Sequence, residues 1–378
     1  MTELLGKSKL ELQSFLASWN EPTYRATQLY HALYRERKFN VAQMTNLPSQ
    51  LRARLAAETT ITLPTVRQRY HSTDGSVRYL FSLPNPDVDA HNRPQRPASV
   101  EAVYMPTETR QTICISTQAG CAVDCQFCLT AQLGLIRNLT PGEIVGQVLL
   151  LLEENKPTLS AQYVAQGKQI NVVLMGQGEP LLNYDNVMAA MRIVLDTEAA
   201  AISPKHVTLS TSGIVPGIER LGQEPIRPKL AISLNASSDE QRNTLMPINK
   251  KYPLARLLAA CKAYPLRAWE YLMFEYVMLG GVNDSPEDAR RVARLLSPLN
   301  IAKINLIPWN PGKLPFQEPT PERIDAFRQI LFQRNIPNFI RYSRGRDVMA
   351  ACGQLALMDT PQPPIQISSA PQNPTTIL

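Results

Sequence analysis

Long apolar runs are missing from this sequence: no stretch approaches the roughly 18 apolar residues that a membrane-crossing helix needs, so no membrane partner is expected. The first residues, MTELLGKSKLELQSF, lack the basic start, apolar core and small-residue cleavage site of a secretory signal, which points to the cytoplasm. Histidine is scarce, with 4 scattered residues, too few and too dispersed to build a metal site alone. Cysteine is scarce as well, with 6 in 378 residues. In a reducing compartment, cysteines that cluster suggest metal binding or catalysis more than disulfide staples. There is no internal repeat. Charge of one sign is in modest excess, 39 Lys and Arg against 32 Asp and Glu, a balance of +7 that tilts partners toward polyanions such as nucleic acid without fixing the fold.

What is present divides the chain into regions of different texture. From Ser8 to about Glu58, apolar residues recur every three to four positions (KLELQSFLASW, YRATQLYHALYRER, LPSQLRARLAAE), predicting a small helical module over residues 1–60. In VRQRYHSTDGSVRYLFSLP, Asp74-Gly75 separates two alternating runs, a hairpin signal with Arg67, Arg69 and Arg78 on its strands. A Pro-rich loop, PNPDVDAHNRPQRP, and a strand, SVEAVYMP, complete a connector over 61–106. From 107 to 358 six strand candidates alternate with helical stretches: TICIST, NVVLMG, HVTLST, KLAISL, YLMFEYVML and KINLIP. Six βα units imply an α/β fold with a parallel sheet, open or curled into a partial (β/α)6 barrel, whose ligand chemistry lies at the carboxyl ends of its strands. The Pro, Gln and Ser bias of residues 359–378 predicts a disordered tail.

The first of those strands runs into CISTQAGCAVDCQFCLTAQ, which holds four of the six cysteines. Cys121, Cys125 and Cys128 follow a C-x3-C-x2-C spacing that lets three thiolates surround one compact centre. A structural zinc site wants four protein ligands, and Cys114 falls on the preceding strand. A 4Fe-4S cluster is usually held by four cysteines; three leave one iron open. That corner is what reductive cleavage of S-adenosylmethionine requires, because the amino and carboxylate groups of the molecule can chelate it. Zinc remains the alternative. Phe127 could shield such a cluster or simply pack in the core. NVVLMGQGEPLLN supports the cluster reading: glycines let the backbone approach a ligand, and the carboxylate of Glu179 at a strand end suits an ammonium group. Near the end, Cys352 follows Arg341, Arg344 and Arg346, which can lower a thiol pKa or hold phosphate. Cys261, in an amphipathic pattern, reads as core.

Taken together, LLGKSKLELQSFL, EPTYRATQLYHALY, MTNLP, VEAVYMP, the cysteine stretch, VVLMGQGEPLLN, VTLSTSGIVPGI, LAISL, PINKKYPL, NLIPWNP and AACGQL resemble the RlmN/Cfr family of radical S-adenosylmethionine RNA methyltransferases, over nearly the whole chain up to the tail. The resemblance implies methylation of C2 of an adenine in 23S rRNA and in tRNA, using one 4Fe-4S cluster, two S-adenosylmethionine molecules per turnover and an electron donor such as a flavodoxin system. It implies that Cys352 carries the methyl group and that the S-methyl carbon joins protein to RNA. Glu101 then removes the C2 proton, and Cys114 releases the product through a transient disulfide with Cys352. By the same similarity Cys121, Cys125 and Cys128 hold the cluster, while Gly178, Glu179, Ser210, Ser233, Leu234, Asn235 and Asn310 bind S-adenosylmethionine. Three positions depart from the family pattern: Asn235 replaces a common histidine, Gln177 a usual methionine and Arg346 a frequent acidic residue. Pro180 favours the C2 branch over the Cfr-like C8 branch, whose members tend to carry Ala there. Phosphate contacts are expected from Lys7, Lys9, Arg25, Arg35, Arg37, Lys38, Arg67 and Arg69.

Overall fold

A computed structural model of the chain describes residues 1–83, 98–156, 169–299 and 302–357. The Pro-rich loop expected at 84–97 and the tail expected at 359–378 lie outside the described residues.

The N-terminal periodicity becomes helices Lys9–Ala17, Thr23–Tyr30 and Ser49–Glu58. The first starts at Ser8, whose hydroxyl accepts from the Glu11 amide (3.2 Å) while the Glu11 carboxylate accepts from the Ser8 amide (2.7 Å), satisfying two otherwise orphaned donors. A short parallel pair, Thr2–Glu3 (β1) with Thr59–Thr60 (β2), ties the ends of this region together. Its apolar faces do not form a separate core: Leu12, Leu29 and Leu55 belong to the same buried cluster as Ile144, Val172 and Phe274. Contact is close where Gly6 meets helix Pro141–Glu154, since a Cβ on Gly6 would lie 2.3 Å from the Gly142 nitrogen.

The strands Thr65–His71 (β3), Val77–Ser82 (β4), Ser99–Pro106 (β5) and Arg110–Cys114 (β6) pair antiparallel in succession. Gln118–Gly120 (β7) and Leu135–Asn138 (β8) form a small hairpin around the cysteine loop. Then come Gln169–Leu174 (β9), Val207–Thr211 (β10), Lys229–Ser233 (β11), Leu272–Met278 (β12), Ala302–Pro308 (β13) and Asn338–Ile340 (β14). One open ten-stranded sheet has the order β14-β13-β12-β11-β10-β9-β6-β5-β4-β3. All pairings from β6 to β14 are parallel. The six expected strands are all present, with helices between them, and β14 adds a seventh. The expected hairpin continues this sheet through β5.

Register decides which side chains meet, because directly opposed residues share a face of a pleated sheet. Leu80 opposes Glu101, Arg78 opposes Val103, Val103 opposes Cys114, and Cys114 opposes Val173. Arg78, Glu101 and Cys114 therefore stand on one face, although 36 sequence positions separate the first from the last. Ala350 and Leu355, on either side of Cys352, pack against Val103 and Cys114 there.

Candidate active site

Most expected site residues sit near the carboxyl ends of the parallel strands; Glu101 is on β5, Cys121, Cys125 and Cys128 follow the short strand β7, and Cys352 lies in a turn well beyond β14. β6 ends at Cys114 and leads into the cysteine loop; β9 leads into Gly176-Gln177-Gly178-Glu179; Ser210, Ser233 and Asn310 close β10, β11 and β13. A cleft of about 170 Å³ is lined by Cys121, Cys125 and Cys128 together with Gly178, Glu179, Ser210, Ser233, Asn235 and Cys352. A second cavity of about 210 Å³ is lined by Cys114, Cys128, Arg341 and Cys352. Cys352 lies on the wall common to both.

The cleft carries the chemistry that an iron–sulfur cluster and an amino-acid ligand need. Burial pushes the Cys121 thiol up to about 12 and raises Cys125 and Cys128, with mutual repulsion adding to it, so these thiols are inert unless a cation stabilises their thiolates. Among the described residues no three His, Cys, Asp or Glu side chains converge tightly enough for a single metal ion. A 4Fe-4S cluster, which spreads its thiolate ligands over several irons, would not require that convergence. Phe127 packs with Leu245, Met246, Leu279 and Trp309 against Cys125 and Cys128, the core-packing role of the two expected of it.

Glu179 is buried, and burial raises its carboxyl pKa. Its oxygens accept from the Ser212 amide (2.7 Å) and the Leu181 amide (3.1 Å), and no Lys or Arg pairs with it among the described residues. A buried carboxylate with backbone donors and no cation suits a ligand ammonium group. Gly178 brings the backbone there at φ +97°, and a Cβ would lie 2.5 Å from the Gln118 Cβ and 2.7 Å from the Gln118 nitrogen. Gly178→Ala is accordingly expected to lower the unfolding free energy by about 1–3 kcal/mol, measurable by urea titration.

The remaining expected positions are placed as follows. The Ser210 and Ser233 hydroxyls lie 3.4 Å apart in the cleft. Asn235 adopts φ +54°, a conformation Asn tolerates, and its Oδ1 accepts from the Val277 amide (2.8 Å). Leu234 is buried; its amide donates to the Glu275 carbonyl (2.9 Å). Asn310 does not line the cleft: its Nδ2 donates to Ser343 Oγ (2.9 Å) and the Cys352 carbonyl (3.2 Å), fastening the Cys352 turn to the end of β13. The Leu129 amide fastens the same turn to the cysteine loop by donating to the Gly353 carbonyl (2.8 Å).

Cys114 and Cys352 are both free cysteines, and the structure shows no disulfide between them. Burial pushes the Cys114 thiol up to about 12, Cys352 adds repulsion, and Arg341 opposes both. Glu101 is fully buried, ion-paired with Arg78, whose guanidinium stacks 3.9 Å from the Tyr70 ring centre. Burial raises the Glu101 pKa, and Arg78 opposes the shift.

Several contributors were not legible in the sequence. Arg78 was visible only as a hairpin cation. Arg242 is completely buried and donates to the carbonyls of Ser212 (2.6 Å), Ser233 (3.0 Å) and Leu234 (3.1 Å), locking the ends of β10 and β11. Burial pushes its pKa down to about 10. Glu275 opposes Ser233 and lines the cleft; its Oε2 accepts no hydrogen bond among the described residues and faces the Arg341 guanidinium at 4.0 Å. An Arg in DEQRNTL and a Glu in LMFEYVM carry no local signal of either role.

A mostly parallel sheet whose first strand delivers three clustered cysteines, and whose second delivers a glycine turn and a buried carboxylate, defines a radical S-adenosylmethionine enzyme. Residues 115–296 match the Radical SAM superfamily, and residues 2–61 match the ribosomal RNA large subunit methyltransferase N-terminal domain. A protein of Koribacter versatilis named a probable dual-specificity RNA methyltransferase RlmN is 49% identical over 352 residues, covering 89% of this chain and 96% of that one. The dual-specificity RNA methyltransferase RlmN of Anaeromyxobacter dehalogenans is 43% identical, covering 95% of this chain and 93% of its own. The crystal structure of a radical SAM methyltransferase from Sphaerobacter thermophilus superposes with a TM-score of 0.83 at 40% identity, covering 94% of this chain and 99% of that one. The chain belongs to the RlmN family of radical SAM RNA methyltransferases. Among the described residues no helix is long and apolar enough to cross a membrane.

Proposed function

We propose that this protein methylates C2 of adenine 2503 in 23S rRNA and of adenine 37 in tRNA, through a methylated Cys352 and a covalent protein–RNA intermediate. The observation that carries the reading is the place of Cys352 on the wall between the cleft of cluster cysteines and the cavity of Cys114. A methyl carrier must be reachable first by a methyl donor and later by the thiol that releases the product. Cys121, Cys125 and Cys128 would hold one 4Fe-4S cluster. Gly178 and Glu179 would hold the methionyl part of S-adenosylmethionine, with Ser210, Ser233, Leu234, Asn235 and Asn310 around the rest. When bound, and supplied with electrons by a donor such as a flavodoxin system, the cluster would give the one-electron chemistry that C2, a poor nucleophile, demands, with two S-adenosylmethionine molecules consumed per turnover.

The chain's own residues do the rest. Cys352 keeps the carbon as a thioether within reach of the base. Glu101, held by Arg78, accepts the C2 proton. Cys114, giving up its proton, then attacks the Cys352 sulfur; the disulfide forms as the bond between that sulfur and the new carbon breaks, the carbon keeps the electron pair and takes up a proton to become methyl, and methylated RNA leaves. Arg341, flanked by both cysteines, stabilises thiolate character as sulfur charge moves between them.

Residues 1–60 act in this proposal as the RNA-binding module, 61–106 as the connector that carries the base, and 107–358 as the catalytic core. The target base must leave its stack, at a cost of a few kcal/mol that other contacts offset. Five of the eight expected phosphate contacts are occupied: Lys9 pairs with Glu198, Arg25 with Glu21, Arg37 with Glu153, Lys38 with Glu36, and Arg69 with Glu154. Solvent-accessible pairs near the surface are worth about 0–1 kcal/mol, so phosphates can displace them. Mass spectrometry of RNA from cells lacking and then regaining the protein tests the proposal. C2-methyladenine at both sites is expected to disappear and return; return of a C8-methylated product instead would reassign the activity.

A further inference from the structure

The two carboxylate oxygens of Glu101 have different surroundings. Oε1 pairs with Arg78, while Oε2 accepts from Gln177 Nε2 (3.3 Å) and from the Leu357 amide (3.1 Å). Gln177 sits in the turn after β9, immediately before Gly178 and Glu179, and its backbone is fixed at three points. Its amide donates to Ser116 Oγ (2.8 Å), and its carbonyl accepts from the amides of Thr117 (2.9 Å) and Gln118 (3.3 Å). The Ser116 hydroxyl in turn donates to the Glu101 carbonyl (2.6 Å), so one hydroxyl bridges the two backbones.

The side-chain amide of Gln177 is 99% buried, and its Oε1 has no partner among the described residues. Turning the donor toward the carboxylate strands that oxygen, a cost that an unbranched apolar side chain of similar length would not carry. Space-filling therefore does not account for an amide at this position, whereas the contact with Glu101 does. The two donors on Oε2 also differ in kind. Leu357 belongs to the segment that continues from Cys352, and its N–H would have to withdraw for Oε2 to take up a substrate proton. Gln177 belongs to the turn of the cofactor cleft and has no need to leave.

We propose that Gln177 is a positioning residue for Glu101: its side-chain amide holds one lone pair of Oε2 so that the other meets the reacting carbon. The inference rests on the reading of Glu101 as the proton acceptor. The charged group facing the carboxylate is Arg78 from β4, with the Tyr70 ring beyond it; Gln177, Ser116 and the backbone N–H of Leu357 are neutral. A donor to a carboxylate favours its ionised form, so losing Gln177 raises the pH at which Glu101 becomes competent.

The test follows resolution of the protein–RNA crosslink against pH in single turnovers of the anaerobic holoenzyme, with methylation of Cys352 measured in the same samples by peptide mass spectrometry. Gln177→Met is expected to move the midpoint of the rising limb upward by about half a unit to one unit, slowing resolution about three- to tenfold below it. Cys352 methylation stays at the wild-type level. Gln177→Glu, which sets a like charge beside the base, is expected to move the midpoint further in the same direction. An unshifted midpoint in Gln177→Met overturns the proposal, as does a parallel loss of Cys352 methylation, which would mark the residue as merely structural. Glu101→Gln separates the two levels: wild-type resolution in that variant removes Glu101 as the base, whereas stalled resolution there with an unshifted Gln177→Met removes only the role of Gln177.

Discussion

Cys352→Ala is expected to abolish adenine methylation, by on the order of a thousandfold or more, while leaving iron and acid-labile sulfide at the wild-type amount. On the proposed route this substitution removes the methyl carrier, whereas the thiols of the Cys121–Cys128 loop are untouched. Two companion variants sharpen the result. Cys114→Ala is expected to keep Cys352 methylation and to leave protein joined to RNA, because it removes only the thiol that breaks the link. Cys261→Ala is expected to change neither step, since that thiol is buried in helix Leu254–Ala263, where burial pushes it up to about 12. Chromatography of digested RNA for methyladenine and gel analysis of the RNA–protein adduct read all three variants. Full-rate methylation by Cys352→Ala would end the carrier role.

The three cysteines beyond the cluster trio show how unevenly the site was written into the sequence. The trio is legible because thiolates around a compact centre must come from a short stretch, so spacing alone carries the signal. Cys114 and Cys352 lie 238 positions apart and meet only because β6 delivers one to a sheet face on which the C-terminal segment lays the other. No local pattern encodes that meeting. The strands β6 and β9 to β13 were legible as short apolar runs between helical stretches, since a parallel sheet is buried on both faces. β14 escaped because NFI is too short to show a period and its middle residue, Phe339, is exposed. Asn310, expected in the cofactor pocket by similarity, instead holds the Cys352 carbonyl, a contact that depends on a turn 42 residues further on.

Glu101 is the sharpest case, because an acidic residue on a strand is ordinarily solvated, and only pairing geometry shows why this one is not. Arg78, opposite Val103, reaches diagonally across the β4–β5 ladder to Glu101, and the stretch after Cys352 closes over both. The same closure that lets burial raise the basicity of the carboxylate makes the charge expensive to keep, so stability and chemistry become coupled at this pair.

That coupling predicts a large destabilisation in Arg78→Met. Breaking a buried ion pair by removing one partner leaves the other charge uncompensated, with a penalty of about 3–5 kcal/mol. Gln177 Nε2 and the Leu357 amide remain as donors to Glu101, which places the expected loss of unfolding free energy toward the lower end of that range near pH 8. The sign of the pH dependence follows from linkage. Burial holds the folded Glu101 carboxyl above its ordinary 4.5, and losing Arg78 raises it further, so the folded variant binds a proton more tightly than the unfolded chain. Its deficit against wild type should therefore be small near and below pH 4.5, where the carboxyl is protonated in both states. The deficit should grow as pH rises through the window up to the elevated folded value. Arg78→Met combined with Glu101→Gln is expected to recover much of the lost stability at pH 8, because a neutral amide needs no counter-charge. Urea unfolding of the wild type, the single variant and the double variant at low and high pH measures the effect; a single variant as stable as wild type at pH 8 would show that Arg78 does not neutralise Glu101. Should the double variant prove stable yet unable to release RNA, the buried pair is retained for proton transfer at some expense of stability.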